Sequence, residues 1–92
     1  MEHASHKSQL TRVNRIAGQV RGIKSMIEEE QYCVDILTQI KAARSALKSL
    51  ELEILENHAH HCLLGAVSSG SSKVAQEKVD EILDLIKRSS KN

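Results

Sequence analysis

Apolar residues recur at helical spacing in three parts of the chain. In the first part they follow one another in steps of three and four, at Leu10, Val13, Ile16, Val20, Ile23 and Ile27. This spacing is typical of an amphipathic helix and predicts one over about residues 6–29. Polar residues take the next apolar position in the segment 28–31, so we expect a break there, although neither Gly nor Pro marks it.

The second apolar series alternates steps of four and three, at Ile36, Ile40, Ala43, Leu47, Leu50 and Ile54. This is a heptad seam, which packs helices side by side. No Gly or Pro interrupts residues 33–64, and Gly65 with the Ser/Gly run 68–72 predicts a flexible turn. A third, shorter helix is predicted from the series Val74, Val79, Ile82, Leu83 and Ile86, ending near Ser89. The prediction is an all-α fold with one long central helix flanked by two others.

Composition indicates one small domain, residues 1–92, near the lower size limit for a self-sufficient core. Helix-forming residues dominate, proline is absent, and the only aromatic residue is Tyr32. Because few large side chains are available to build a core, we expect the chain to reach stability by oligomerising.

Charge and hydropathy limit the function classes. The net charge is only +1, yet residues 1–27 carry five basic residues against Glu2, which indicates either a basic surface with a specific partner or ordinary solvated helix faces. No signal segment appears, and no apolar run approaches the ~18 residues of a membrane span, so we expect a cytoplasmic protein without a membrane partner.

Two cysteines in that compartment are more often metal ligands or redox-active than a disulfide. No nucleophile–base–acid set indicates an enzyme.

The segment HAHHC at residues 58–62 is the clearest chemical signal. His58 and Cys62 are four apart, so on a helix they lie on one face and can supply two ligands of a metal site. The other thiol, Cys33, lies 25 residues before His58. Along a continuous helix that is ~37 Å, at 1.5 Å per residue, so neither a shared site nor a disulfide can form within one chain.

Two copies of the helix packed antiparallel would bring these residues together. Ala46 and Leu47, near the midpoint, would then lie close to the twofold axis, and the dimer would hold two identical sites. Each site would take Cys33 from one chain with His58 and Cys62 from the other. Two thiolates and an imidazole favour Cu(I), whereas Zn(II) or Ni(II) would require a fourth ligand. The candidates for that ligand are His61, His60, His3 and His6.

Simpler interpretations exist for single residues. Cys33 alone could be a small core residue, and His60 and His61 could simply face solvent. The spaced set of Cys33, His58 and Cys62 favours the metal site.

Three stretches carry a family resemblance: RVNRIAGQVRGIKSMIEEEQYCVDIL, QIKAARSAL and HAHHC. The chain resembles the copper-sensing operon repressors (CsoR-type), a family that also contains nickel/cobalt, formaldehyde and persulfide sensors. The resemblance implies a three-helix protomer, a disc-shaped tetramer of two antiparallel dimers, and Cu(I) bound by Cys33, His58 and Cys62. It also implies that Tyr32 and Glu81 link to the non-ligating nitrogen of the histidine.

The resemblance further implies a mechanism. The metal-free protein would bind operator DNA, and Cu(I) would release it and derepress copper-resistance genes. Nickel/cobalt members often carry His where Cys62 stands, so the resemblance favours copper. His3 and His6 depart from the copper pattern, because they resemble the amino-terminal histidine of the nickel/cobalt members, although neither falls at quite the same offset. A Ni(II)- or Co(II)-responsive repressor is therefore an alternative, as are a thiol-based redox or persulfide sensor using Cys33 and a cytosolic metal buffer.

No zinc-finger spacing, basic zipper or clear helix-turn-helix is present. Basic residues cluster instead on the first two predicted helices, at Arg12, Arg15, Arg21, Lys24, Lys41, Arg44 and Lys48. Repeated over a tetramer, they would form a broad positive face suited to DNA phosphates and duplex shape. By themselves they are typical of a solvated face; together with the resemblance they favour DNA binding.

Overall fold

The computed structural model describes residues 5–90, and the secondary structure over this range is helical. A 3₁₀ turn, Lys7–Gln9, leads into α1, Leu10–Glu28. The long α2 is Cys33–Ser69, and α3 is Ser72–Ser89. The prediction of an all-α fold with a long central helix is confirmed.

The first interhelical break lies where the sequence predicts it, although the first helix begins at Leu10 instead of residue 6. After α1 the chain turns at Glu30, whose φ of 54° lies in the left-handed region. The carbonyl of Tyr32 then accepts hydrogen bonds from the amides of Asp35 and Ile36 and so begins α2. A glutamate thus takes the conformation that glycine adopts most easily.

The predicted turn at Gly65 is wrong, because α2 continues through it to Ser69. One glycine costs a helix only about 1 kcal/mol, and the following hydroxyls are satisfied within the helix. Ser68 Oγ donates to the Leu64 carbonyl at 2.9 Å, and Ser69 Oγ donates to the Ala66 carbonyl at 2.6 Å. The helix ends instead at Ser69, and the next residue, Gly70, has a φ of 71°.

Helix α3 begins with a side-chain cap. Ser71 Oγ accepts a hydrogen bond from the Val74 amide at 3.3 Å, which satisfies one of the free donors of the first turn. The predicted end near Ser89 is confirmed. The turn therefore takes only Gly70 and Ser71 from the longer Ser/Gly run.

The chain divides into two compact units, which are described separately. One unit is residues 7–50, where Ile16 and Ala43 are buried. The described part of the other is residues 5–6 and 51–90, where Cys62, Ala66 and Ile82 are buried. The prediction of a single domain over residues 1–92 stays a prediction. Within residues 5–90, no helix has both the length and the apolar character needed to cross a membrane.

Candidate metal centre

Three potential ligands meet in the unit that contains the second half of α2. His58 and Cys62 come from α2 and Glu81 from α3, and one ligand atom of each lies within 4.8 Å of the other two. The spacing of four residues places the imidazole and the thiol on one helix face, as expected. Glu81 joins them because α3 follows α2 after a two-residue turn.

The thiol and the imidazole are in contact. Cys62 Sγ lies 3.5 Å from His58 Nε2 and 3.7 Å from His58 Nδ1. Cys62 is buried, with 6% of its surface exposed, whereas the His58 side chain is 35% exposed. A sheltered sulfur beside an accessible imidazole provides soft donors that an ion can reach from solvent.

The contact with Glu81 favours a proton on one particular nitrogen of His58. Its Oε1 lies 3.2 Å from His58 Nε2. An ionised carboxylate only accepts hydrogen bonds, so Nε2 is the donor and, in the neutral ring, Nδ1 keeps its lone pair. The unprotonated nitrogen is therefore the one available to a metal beside Cys62.

A lysine completes this group. Lys78 Nζ lies 3.3 Å from Glu81 Oε2, so each carboxylate oxygen contacts a different nitrogen. The hydrogen bond from Lys78, followed by that from His58, lowers the pKa of the Glu81 carboxyl below its ordinary value. Sequence reasoning did not identify Lys78, although its position three residues before Glu81 on one helix was a usable signal.

His58 and Glu81 also line an open cleft of about 550 Å³ in the same unit. Its apolar lining comes from Ile54, Leu55 and Leu85. The imidazole thus lies at the edge of a partly apolar surface.

Cys33 and Tyr32 lie in the other unit. Cys33 is the first residue of α2 and is exposed, and both cysteines are free thiols. The Tyr32 side chain is 67% exposed. Neither residue is part of the His58, Cys62 and Glu81 cluster within the described chain, so their predicted roles stay predictions.

The other histidines do not join this cluster either. His60 and His61 are exposed on α2. His6 is half-buried, and its Nδ1 is buried without a hydrogen-bond partner among the described residues. His3 lies outside the described residues. That any of these histidines supplies a further ligand also stays a prediction.

The seven basic residues proposed for DNA binding all lie in the unit 7–50. Arg12 and Lys48 are half-buried, and the other five are exposed: Arg15, Arg21, Lys24, Lys41 and Arg44. All seven residues belong to helices α1 and α2. Their role in DNA binding stays a prediction.

The fold and the cluster describe a small helical protein with a candidate site for a soft metal ion. Residues 5–88 match the family described as metal-sensitive transcriptional repressor, and the chain belongs to this family. The expected resemblance is confirmed, and so is the prediction that the protein is not an enzyme, since the family consists of transcriptional repressors.

Two curated relatives are named as copper sensors. The chain is 47% identical over 90 residues to the copper-sensing transcriptional repressor CsoR of Bacillus subtilis, covering 97% of this chain and 86% of that one. It is 54% identical over 59 residues to the copper-sensing transcriptional repressor RicR of Mycobacterium tuberculosis, covering 64% of this chain and 62% of that one.

Two solved structures share the fold, but one is named for nickel and the other for copper. The nickel-responsive regulator InrS matches with a TM-score of 0.78 and 28% identity, over 97% of both chains. The Cu(I)-bound repressor CsoR of Geobacillus thermodenitrificans matches with a TM-score of 0.77 and 36% identity, covering 96% of this chain and 92% of that one. Because both match almost equally well, the fold alone does not identify the metal.

Proposed function

We propose that this metal-sensing repressor responds to Cu(I). The metal-free protein binds operator DNA, and Cu(I) binding lowers its affinity for DNA and derepresses copper-resistance genes. The observation that carries the proposal is the contact between the buried Cys62 thiol and His58, at 3.5 and 3.7 Å. Sulfur and nitrogen donors suit Cu(I), and the relatives named as copper sensors support this choice.

The complete site takes Cys33 from a second protomer. One protomer supplies His58 and Cys62 as a preformed pair, and the exposed Cys33 at the start of α2 is available to another chain. Antiparallel pairing of two protomers creates two such sites, and two dimers form the tetramer. Cu(I) is then held by two thiolates and the Nδ1 of His58.

Exposed apolar side chains support this assembly. Both units carry them: Leu10 in α1 is 58% exposed and Leu37 in α2 is 59% exposed in one unit, and Val67 in α2 is 75% exposed in the other. An isolated chain of this size that leaves so much apolar surface in water gains stability when a second copy covers it.

The link from metal to DNA runs through Glu81. The carboxylate on α3 accepts from His58 Nε2 at 3.2 Å, so a change in the ring position at the metal site moves a contact between two helices. Tyr32 of the paired protomer adds a second contact to the same ring. The DNA surface is formed by the basic residues of the unit 7–50. Coupling of this kind is typically worth ~1–3 kcal/mol and is reciprocal.

A Ni(II)- or Co(II)-responsive repressor is the second candidate, and Glu81 favours it. The cluster offers sulfur, nitrogen and a carboxylate oxygen within 4.8 Å, a mixed set that Ni(II), Co(II) or Zn(II) accepts more readily than Cu(I) does. In the Cu(I) proposal Glu81 stays outside the coordination sphere. Glu81→Gln therefore separates the two, since it weakens binding of a mixed-ligand metal more than binding of Cu(I).

The direct test is a titration of the protein–DNA complex with each metal under anaerobic conditions. Fluorescence anisotropy of labelled DNA from the protein's own upstream region reports release, and a Cu(I) chelator of known affinity reports binding. Cu(I) should release the DNA at one ion per protomer, whereas Ni(II) and Zn(II) should not. Release by Ni(II) alone would replace the first candidate with the second, and a lack of DNA binding would indicate a metal buffer.

Mixed dimers test the shared site. A dimer of one Cys33→Ala protomer and one His58→Ala protomer should keep one intact site, because both lesions fall at the same end. Each homodimer of a single variant carries the lesion at both ends. Equal loss of Cu(I) in the mixed dimer and both homodimers would contradict the intersubunit site.

A further inference from the structure

Glu81 is shared between two cationic or hydrogen-donating groups, and only one of them is a proposed ligand. Oε1 contacts His58 Nε2 at 3.2 Å, and Oε2 contacts Lys78 Nζ at 3.3 Å. The three side chains form a chain of contacts from α3 to the imidazole on α2. Lys78 therefore does not contact the proposed ligand His58 itself but contacts Glu81, which does.

The Lys78–Glu81 pair has the less favourable order for stabilising α3. In isolated helices a glutamate stabilises best when it precedes its lysine, and here the lysine precedes the glutamate. The Lys78 side chain is also only 27% exposed, less than the 43% of Glu81, although lysine side chains are normally among the most solvated. By contrast, the Arg88–Asp84 pair on the same helix is more than half exposed at both partners.

Glu81 needs an orienting group if it is to act on His58. Its side chain is 43% exposed, and an exposed glutamate with one partner can rotate among several staggered conformations. A second contact on the other oxygen restricts that rotation. With Oε2 on Lys78, the remaining oxygen is directed at Nε2 of the imidazole.

We propose that Lys78 is a positioning residue for the metal response, and that it acts by holding Glu81 on the His58 ring. This inference rests on the proposed function for its consequence in DNA release, although the positioning itself concerns the metal-free protein. When Lys78 holds Glu81, His58 stays in the form that presents an unprotonated Nδ1 beside Cys62. When Lys78 is removed, the ring is less constrained, and metal binding is coupled less strongly to α3.

The first test uses the metal-free protein and the ring nitrogens of His58. Long-range ¹H–¹⁵N spectra at about pH 8, where imidazoles are ordinarily neutral, distinguish protonated from unprotonated nitrogen. The wild-type protein should show a large separation between Nε2 and Nδ1. Lys78→Gln should bring the two shifts closer together, and Lys78→Arg should restore the separation because it keeps a cationic donor. Lys87→Gln, which removes an exposed lysine of the same helix, should leave the spectrum unchanged.

The second test measures the ratio of DNA affinities without and with Cu(I). Lys78→Gln should reduce this ratio about two- to fivefold, the factor that corresponds to the upper range for exposed ion pairs. Cu(I) affinity should change little, because the thiolates are untouched. In a Glu81→Ala background, Lys78→Gln should have no further effect, since its action passes through the missing carboxylate.

Two results would overturn the inference: His58 ring shifts that do not respond to Lys78→Gln, or a Lys78→Gln effect of the same size with and without Glu81. The proposed function fails differently. If the wild-type protein kept its DNA in Cu(I), the repressor mechanism would be wrong, while the spectra of the metal-free protein would still decide whether Lys78 positions the ring.

Discussion

The regions around the two cysteines differ in how much of the candidate site each provides. Cys62 is buried and lies within 3.7 Å of both ring nitrogens of His58, and Glu81 supports that ring from the neighbouring helix. Cys33 is exposed at the first residue of α2. It lies in the unit that carries the seven basic residues proposed for DNA binding. The region of Cys62 is thus organised within a single protomer, whereas the region of Cys33 leaves its thiol exposed. If the proposed intersubunit site forms, this difference joins metal binding to assembly.

The largest expected effect is the loss of either thiolate. Cys62→Ala and Cys33→Ala should each lower Cu(I) affinity by more than about 100-fold, the upper limit for residues that only support ligands. Their stabilities should differ in the metal-free state. Cys62→Ala removes a buried sulfur and should lower the free energy of unfolding by about 1 kcal/mol, whereas exposed Cys33→Ala should stay within about 0.5 kcal/mol.

Chelator competition measures the affinities, and urea unfolding at fixed protein concentration measures the stabilities. If Cys33→Ala kept its Cu(I) affinity, the site would be complete within one protomer, and Cys33 would have no part in it. Equal destabilisation by both substitutions would show that Cys33 is buried in the assembly before metal binds.

The fold could be predicted from the sequence where periodicity is strong. The apolar series of all three helices indicate their number and order, and the break after Glu28 is visible as a missed apolar position. The end of α2 was not predictable in this way, because Gly65 has the character of a helix terminator. A single glycine costs a helix only about 1 kcal/mol, which the helix-forming residues around it outweigh.

The site was predictable to the extent that its residues share one helix. The spacing of His58 and Cys62 determines their common face, and that pair is in contact as expected. The contact with Glu81 depends on the position of α3 against α2, and it was expected only through family resemblance. Lys78 lies three residues before Glu81, a spacing that allows a contact on a helix. That Lys78 and His58 take different oxygens of Glu81 becomes evident only from the structure.

The next effect concerns the substitution His58→Ala, which should separate Cu(I) binding from the release of DNA. His58→Ala keeps Cys33 and Cys62, and two thiolates suffice for Cu(I) because this ion accepts linear two-sulfur binding. The variant should therefore bind Cu(I), more weakly, yet remain on DNA when Cu(I) is added. The loss should equal most of the coupling, about 5- to 150-fold in DNA affinity.

Anisotropy of the variant–DNA complex during Cu(I) titration gives the answer. Glu81→Ala should show a milder form of the same defect, because it removes the support of the ring and leaves all three proposed ligands. Normal release by His58→Ala would show that the thiolates alone drive the response, and the pathway through His58 and Glu81 would have to be abandoned.

A smaller effect should distinguish the basic surface of the unit 7–50 from the rest of the protein. Arg15→Glu should weaken DNA binding and leave Cu(I) affinity nearly unchanged. It should also reduce the slope of the salt dependence by about 0.9 for each DNA phosphate that the protein no longer neutralises. Lys73→Glu, an exposed charge on α3, serves as the matched control and should leave the slope unchanged. A slope that responds to Lys73 but not to Arg15 would move the DNA surface to the other unit.

The smallest effect compares the two interhelical turns. Both contain a residue with left-handed backbone, Glu30 with φ 54° and Gly70 with φ 71°, but only the second is a glycine. Glu30→Gly removes a strain of roughly 1–2 kcal/mol and adds a glycine cost of roughly 0.5–1 kcal/mol in the unfolded chain. The net effect should stabilise the metal-free protein by roughly 0–1.5 kcal/mol. Gly70→Ala introduces the same strain and should destabilise by about 1 kcal/mol. No clash adds to this, because beyond the two chain neighbours of Gly70 no atom lies within 4 Å of the added Cβ. Urea unfolding of both variants at one protein concentration checks the pair. A destabilising Glu30→Gly would show that the Glu30 side chain makes a contact in the assembled protein that outweighs the relief of its backbone.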